Sequence, residues 1–212
     1  MGDLPESHMQ YAGLQMRSES RLVDFMSGPL QRDLECLPGC GPASVDAMAT
    51  AELFTLDQIC GKFMVFDRDP VLMVQWLEEN GFSAGWSETA THAIAAKLHN
   101  LLAGMASDSS DEVPEEHMKY AGLQMRSETK LVDFLSGPLQ RELTGMPGCG
   151  PASVKALNTA EIFTMDQLCG KFMMFDRDPA LMVQWLEEIH FAAGWAETAT
   201  HALAAKLHNL LD

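Results

Sequence analysis

The chain is written twice. Residues 5–102 align with 114–211 without a gap, at a constant offset of about 109 residues, and roughly three quarters of the aligned positions are identical. PESHMQYAGLQMRSES returns as PEEHMKYAGLQMRSET, and CGKFMVFDRDPVLMVQWLEE as CGKFMMFDRDPALMVQWLEE. A solenoid repeat of about 20–45 residues cannot bury its apolar face alone. A unit of this length can hold its own core. The sequence therefore predicts a first copy at 5–102, a second at 114–211, and a connecting segment, AGMASDSSDEV, at 103–113. That segment is small, polar and acidic. As a flexible coil it reaches on the order of 20 Å, which lets the copies lie side by side.

Each copy reads as all helix. In SRLVDFMSG, Leu22, Phe25 and Met26 recur at i, i+3 and i+4, with Ser20 as the expected N-cap. Pro42 suits the first turn of a short helix, where its missing N–H does no harm. Thr55 should cap TLDQICGKFMVF, and Asp69-Pro70 should open a helix through Trp76 and Leu77. Ser87 or Thr89 is expected ahead of the last helix, THAIAAKLHNLL. HMQYAGLQMRSE is expected to add an N-terminal helical extension, despite Gly13. The β-branched residues are scattered and do not alternate.

The net charge of −16 argues against nonspecific attraction to nucleic acid or anionic lipid, because such a surface repels both. Local basic patches remain possible within it. The five cysteines (Cys36, Cys40, Cys60, Cys149, Cys169) fit neither a disulfide framework nor a zinc pair, so reduced thiols in a nuclear or cytoplasmic protein are expected. MGDLPESHMQ is acidic and polar, unlike a secretory signal, and no apolar run approaches a membrane span.

The most specific local pattern is LPGCGPASV at 37–45, repeated as MPGCGPASV at 146–154. A hydrophobic residue, proline, two glycines around one small residue and a helix-opening proline match a helix–hairpin–helix pattern. Glycines admit positive φ and let a second backbone come close. The amides of the turn and of the following helix start can then point outward together and hold a phosphate oxygen. On a duplex this grips the backbone and ignores base identity. The expected donors are Gly39, Gly41, Ala43 and Ser44, with the Ser44 hydroxyl beside them. A tight interhelical connection with no ligand is the alternative reading of the same glycines.

From about Arg21 to Leu102, each copy resembles the barrier-to-autointegration factor family. The matching run is DF–x–x–GP–L, then LPGCGPASV, then LFTLDQICGKFMVF, the DRD triplet, a helix ending in Trp76-Leu77, and THAIAAKLHNLL. The resemblance implies two tandem compact five-helix domains with a helix–hairpin–helix. It implies sequence-independent binding of double-stranded DNA through the hairpin and the start of the first helix. It also implies a dimer groove that takes LEM-domain proteins. Carried over by position, the DNA contacts fall on Gly39, Gly41, Ala43 and Ser44, on Gly148, Gly150, Ala152 and Ser153, and on Arg21 and Lys130.

The departures are in charge. Where the family has consecutive lysines after the hairpin, this chain has Asp46-Ala47 and Lys155-Ala156. The family's basic residues before the last helix are replaced by SAGWSE and AAGWAE. The first copy holds 6 basic against 13 acidic residues, net −7, and the second 8 against 12, net −4. Lys119, Lys130 and Lys155 make the second copy the expected DNA-binding half. Because such a family works as a dimer, the copies should either pair within one chain as a pseudo-dimer, favoured by a tethered effective concentration near millimolar, or pair between chains as a homo-oligomer.

No catalytic constellation emerges, so the chain reads as a non-enzyme without metal or cofactor. His92 and His99 lie two turns apart, without further ligands at metal spacing. Glu78-Glu79 are adjacent and point in different directions on a helix. Trp76, Trp86, Trp185 and Trp195 are candidates for a protein interface. The competing functional expectation is a protein-interaction or self-assembly scaffold that has lost DNA binding.

Overall fold

The computed structural model describes residues 19–104, 128–192 and 194–211. The expected N-terminal helical extension, with Lys119 in its second copy, lies outside them. Among the described residues the chain is all-helical, with ten α-helices, two short 3-10 helices and no strand. The first half runs α1 (Glu19–Ser27), a 3-10 helix (Leu34–Cys36), α2 (Pro42–Thr50), α3 (Leu56–Val65), α4 (Pro70–Glu79) and α5 (Ala84–Gly104). The second runs α6 (Glu128–Ser136), a 3-10 helix (Leu143–Gly145), α7 (Pro151–Thr159), α8 (Met165–Met174), α9 (Pro179–Glu188) and α10 (Ala196–Leu211).

Local chemistry sets most helix starts. Pro42 and Pro151 stand in the first turns of α2 and α7. Asp69 and Asp178 each accept from two backbone amides to cap α4 and α9. Thr55 and Thr164 form capping boxes with Gln58 and Gln167, satisfying amides at both sides of the cap. Three expectations are corrected. Ser20 lies inside α1, not at its N-cap. Ser87 and Thr89 lie within α5, which starts earlier, at Ala84, because burial of both residues against the core outweighs their capping preference. α5 also continues through Ala103 and Gly104, into the segment read as linker.

The halves meet where α3 crosses α8. A Cβ on Gly61 would fall 2.6 Å from the Gly170 carbonyl oxygen, and one on Gly170 would fall 2.5 Å from that of Gly61. Only glycine lets the two backbones come this close. The capping glutamines reach across the same contact. The Gln58 amide donates to the Met174 carbonyl at 3.5 Å, and Gln167 to the Val65 carbonyl at 3.3 Å.

Around the crossing, ion pairs run reciprocally from half to half. Arg68 binds Asp166 at 2.5 Å and Arg177 binds Asp57 at 2.8 Å. Arg141 binds Asp67 at 2.5 Å, and Arg32 binds Asp176. Thr55 and Thr164 add hydroxyl bonds to Asp176 and Asp67, at 3.0 and 3.3 Å. These partners explain a local strain. Asp67 and Arg68 are left-handed (φ 53° and 61°), as are Asp176 and Arg177 (56° and 58°). That conformation costs roughly 1–2 kcal/mol per non-glycine residue. The contacts to the opposite half hold all four in place. One apolar core, from Leu22 to Leu211, continues through both halves.

Two lysines lie inside it. Lys97 donates to the carbonyl of Gly28 and sits over the Phe25 ring at 5.7 Å. Lys206 donates to the Leu135 carbonyl at 3.0 Å and to that of Gly137, and sits 5.8 Å from the Phe134 ring. Each ammonium thus caps the C-terminal carbonyls of α1 or α6, where positive charge is favoured. Burial still lowers both pKa values, that of Lys206 from 10.5 to about 8.

Candidate nucleic-acid interface

The repeated nonapeptide builds the same turn in both halves. The Cys40 N–H donates to the Leu37 carbonyl at 3.0 Å, and the Cys149 N–H to that of Met146 at 3.2 Å. Proline occupies the second position of each turn and a left-handed glycine the third, with φ 87° at Gly39 and 80° at Gly148. This is the arrangement of a type II turn, which requires positive φ at that glycine. The glycine is also pressed against the last helix of its half. A Cβ on Gly39 would lie 2.9 Å from the Trp86 carbonyl oxygen, and one on Gly148 3.1 Å from that of Trp195.

The next glycine behaves differently. Gly41 and Gly150 are the N-caps of α2 and α7, both extended, and neither has a heavy atom within 4 Å of where a Cβ would stand. Among the described residues the N–H groups of Gly39, Gly41 and Ala43 donate to no acceptor, nor do those of Gly148, Gly150 and Ala152. They border a shallow concavity in each half. The first, about 360 Å³, is lined by the turn, Ser83 and Trp86. The second, about 370 Å³, is lined by the turn, Lys130, Ala192 and Trp195.

The serines differ between the halves. The Ser44 N–H donates to the Gly41 carbonyl at 2.9 Å, inside its own helix start. Ser153 is buried, and its hydroxyl makes a long 3.5 Å bond to the Gly148 carbonyl. The Ser153 N–H, like those of Gly148, Gly150 and Ala152, donates to no acceptor among the described residues. Lys130, exposed on α6, donates to the Thr144 carbonyl at 3.0 Å and so hangs beside the second turn. Arg21 lies in α1, with its side chain outside the described part. Lys155 and Asp46 are exposed on α7 and α2, beyond the residues lining the concavities.

Trp86 and Trp195 line the concavities, a location sequence spacing could not reveal, because each lies far along the chain from its turn. Trp76 and Trp185 are half-buried and pack near Phe66 and Phe175, with centroids 6.4 and 6.3 Å apart. Cys40 and Cys149 are buried in the turns, and burial pushes the Cys149 thiol up to about 11, away from thiolate chemistry. No helix among the described residues is long and apolar enough to cross a membrane. No protein-family model, curated protein or solved structure matches the chain.

Proposed function

We propose that this chain is a non-enzymatic protein that binds the backbone of double-stranded DNA, weakly and without regard to sequence, and organises it in the nucleus or cytoplasm. In this reading each half is a five-helix domain, its 3-10 helix, glycine turn and following α-helix act as a helix–hairpin–helix, and the two domains form a pseudo-dimer through α3 and α8. The observation that carries it is the row of uncommitted N–H groups at Gly148, Gly150 and Ala152, in residues that line one concavity together with Lys130. Such a row receives a phosphate oxygen through fixed partial charge. The second half is the stronger seat, because Lys130 and Lys155 oppose the repulsion from an acidic chain.

Gly150→Val tests this directly. Its extended backbone (φ −95°) and empty surroundings accept a side chain without strain, but that side chain fills the phosphate seat. At low salt, duplex affinity should fall at least about tenfold, a loss of roughly 1.4 kcal/mol, while the melting temperature holds. Absence of duplex binding by the parent chain at low salt would leave the scaffold reading in its place. Light scattering on the same sample separates a one-chain pseudo-dimer from pairing between chains.

A further inference from the structure

Holding one phosphate of a duplex takes outward N–H groups and a cation, and no apolar surface. The second concavity has the N–H groups of Gly148, Gly150 and Ala152 and the side chain of Lys130. Its remaining wall, however, is apolar, with Pro147, Ala192 and the Trp195 indole. Its volume of about 370 Å³ falls in the roughly 300–1,000 Å³ range of pockets that take small organic groups. Among the described residues no carboxylate lines either concavity.

Trp195 stands directly against the phosphate seat. Its ring carbon Cε3 would lie 3.4 Å from a Cβ on Gly148, the first residue of the amide row. Trp86 repeats the contact at Gly39, also at 3.4 Å, and is 36% exposed. Trp76 and Trp185 pack near phenylalanines, but neither Trp86 nor Trp195 has a ring partner among the described residues. In a paired duplex the bases are stacked on one another, so an indole beside a backbone phosphate meets no ring. An unpaired nucleotide brings a free ring within one sugar of its phosphate, and aromatic side chains are where such bases stack.

We propose that the second concavity holds one unpaired nucleotide of a DNA strand, with its phosphate on the amide row beside Lys130 and its base stacked on Trp195. The inference rests on the phosphate seat proposed above and names what that seat selects: duplex DNA that carries an unpaired tail. Every base has a π-face, so stacking keeps the recognition indifferent to sequence. Charge points the same way. A single strand has a lower charge density than a duplex, so a chain of net charge −16 repels it less. The first concavity, with Trp86 and no lysine in its lining, is the weaker of the two seats.

The test titrates the full chain at low salt with a blunt duplex, with the same duplex bearing a short thymine tail, and with that tail made abasic. The thymine tail should tighten binding about tenfold over the blunt duplex, the gain from one stacked base. The abasic tail keeps the phosphates and should lose that gain. Trp195→Leu leaves an apolar group against the turn; it should lose the gain and keep the blunt-duplex affinity, whereas Trp195→Phe should retain most of the gain. An unchanged melting temperature certifies each variant, and the abasic arm, which needs no variant, decides on its own. The proposal is overturned if the thymine tail adds nothing, if the abasic tail binds as well, or if Trp195→Leu keeps the gain. It is overturned equally if Trp195→Leu weakens blunt and tailed duplex alike, which makes the indole a support for the turn. In each of these cases, blunt-duplex binding that is lost in Gly150→Val leaves the phosphate seat standing. Absence of binding to every probe overturns both readings.

Discussion

The two glycine turns have one backbone and opposite surroundings. In both halves the proline, the left-handed glycine and the open N-cap glycine recur, and the same tryptophan carbonyl closes the turn from behind. Along the chain, Glu35 precedes the first turn and Asp46 follows it, whereas Thr144 and Lys155 stand at the corresponding places around the second. Those two exchanges take the local charge from −2 to +1 without moving the main chain. The turn geometry proposed to hold a phosphate and the field around it are thus separable. The repeat preserves the first and varies the second.

The largest effect that sharpens this contrast lies at the ion pairs between the halves. Asp57 is fully buried beside Arg177, whereas the Asp166 side chain, beside Arg68, is 16% exposed. Burial raises the pKa of Asp57 and Arg177 pulls it back down, so this carboxylate depends on its arginine. Arg177→Ala should lower the unfolding free energy by roughly 3–5 kcal/mol, because it strands a buried charge. Arg68→Ala should cost about half as much, since water can reach Asp166. Urea denaturation of the two variants decides it, and equal losses would show that the halves are more alike inside than their exposures suggest.

Exchanging charges beside the turns comes next. Lys155→Asp should weaken duplex binding about tenfold at low salt and flatten the plot of log affinity against log salt by about one unit. Asp46→Lys in the first half should strengthen binding in the same titration. If the two changes have no effect, the amides act without help from the nearby field and the contrast between halves carries no function.

The smallest effect is a pH dependence shared by both halves. Unfolded, Lys206 keeps its proton to about 10.5, whereas folded it releases it at about 8. Between those values the unfolded chain binds more protons, so this lysine's contribution to stability improves as pH rises. Parent minus Lys206→Met stability, measured from pH 7.5 to 10, should increase. Lys97→Met should give the same sign, and a difference in sign would break the equivalence of the two buried lysines.

Much of the secondary structure was legible. Pro42, Thr55 and Asp69 announce their helices because capping is decided within three or four residues. Ser87 and Thr89 misled for the converse reason: tertiary packing, absent from a local window, buries them inside a helix. The turn amides at Gly39 and Gly41 could be read from the glycines and prolines alone, but the internal bond of Ser44 and the burial of Ser153 could not. Gly61 and Gly170 carry no local mark of a helix crossing. The DRD triplets announce no partner about a hundred residues away, and a lysine in a helix reads as solvated until the fold shows Lys97 and Lys206 inside the core.

An assembly made of two identical molecules can alter its two faces only in unison, since every substitution appears in both. Here a single polypeptide supplies both sides of the α3–α8 crossing, and that constraint is gone. A glutamate can sit at 35 while a threonine sits at 144, with the shared seam intact. Covalent fusion thereby permits symmetry breaking, and the two ends of this molecule are free to specialise.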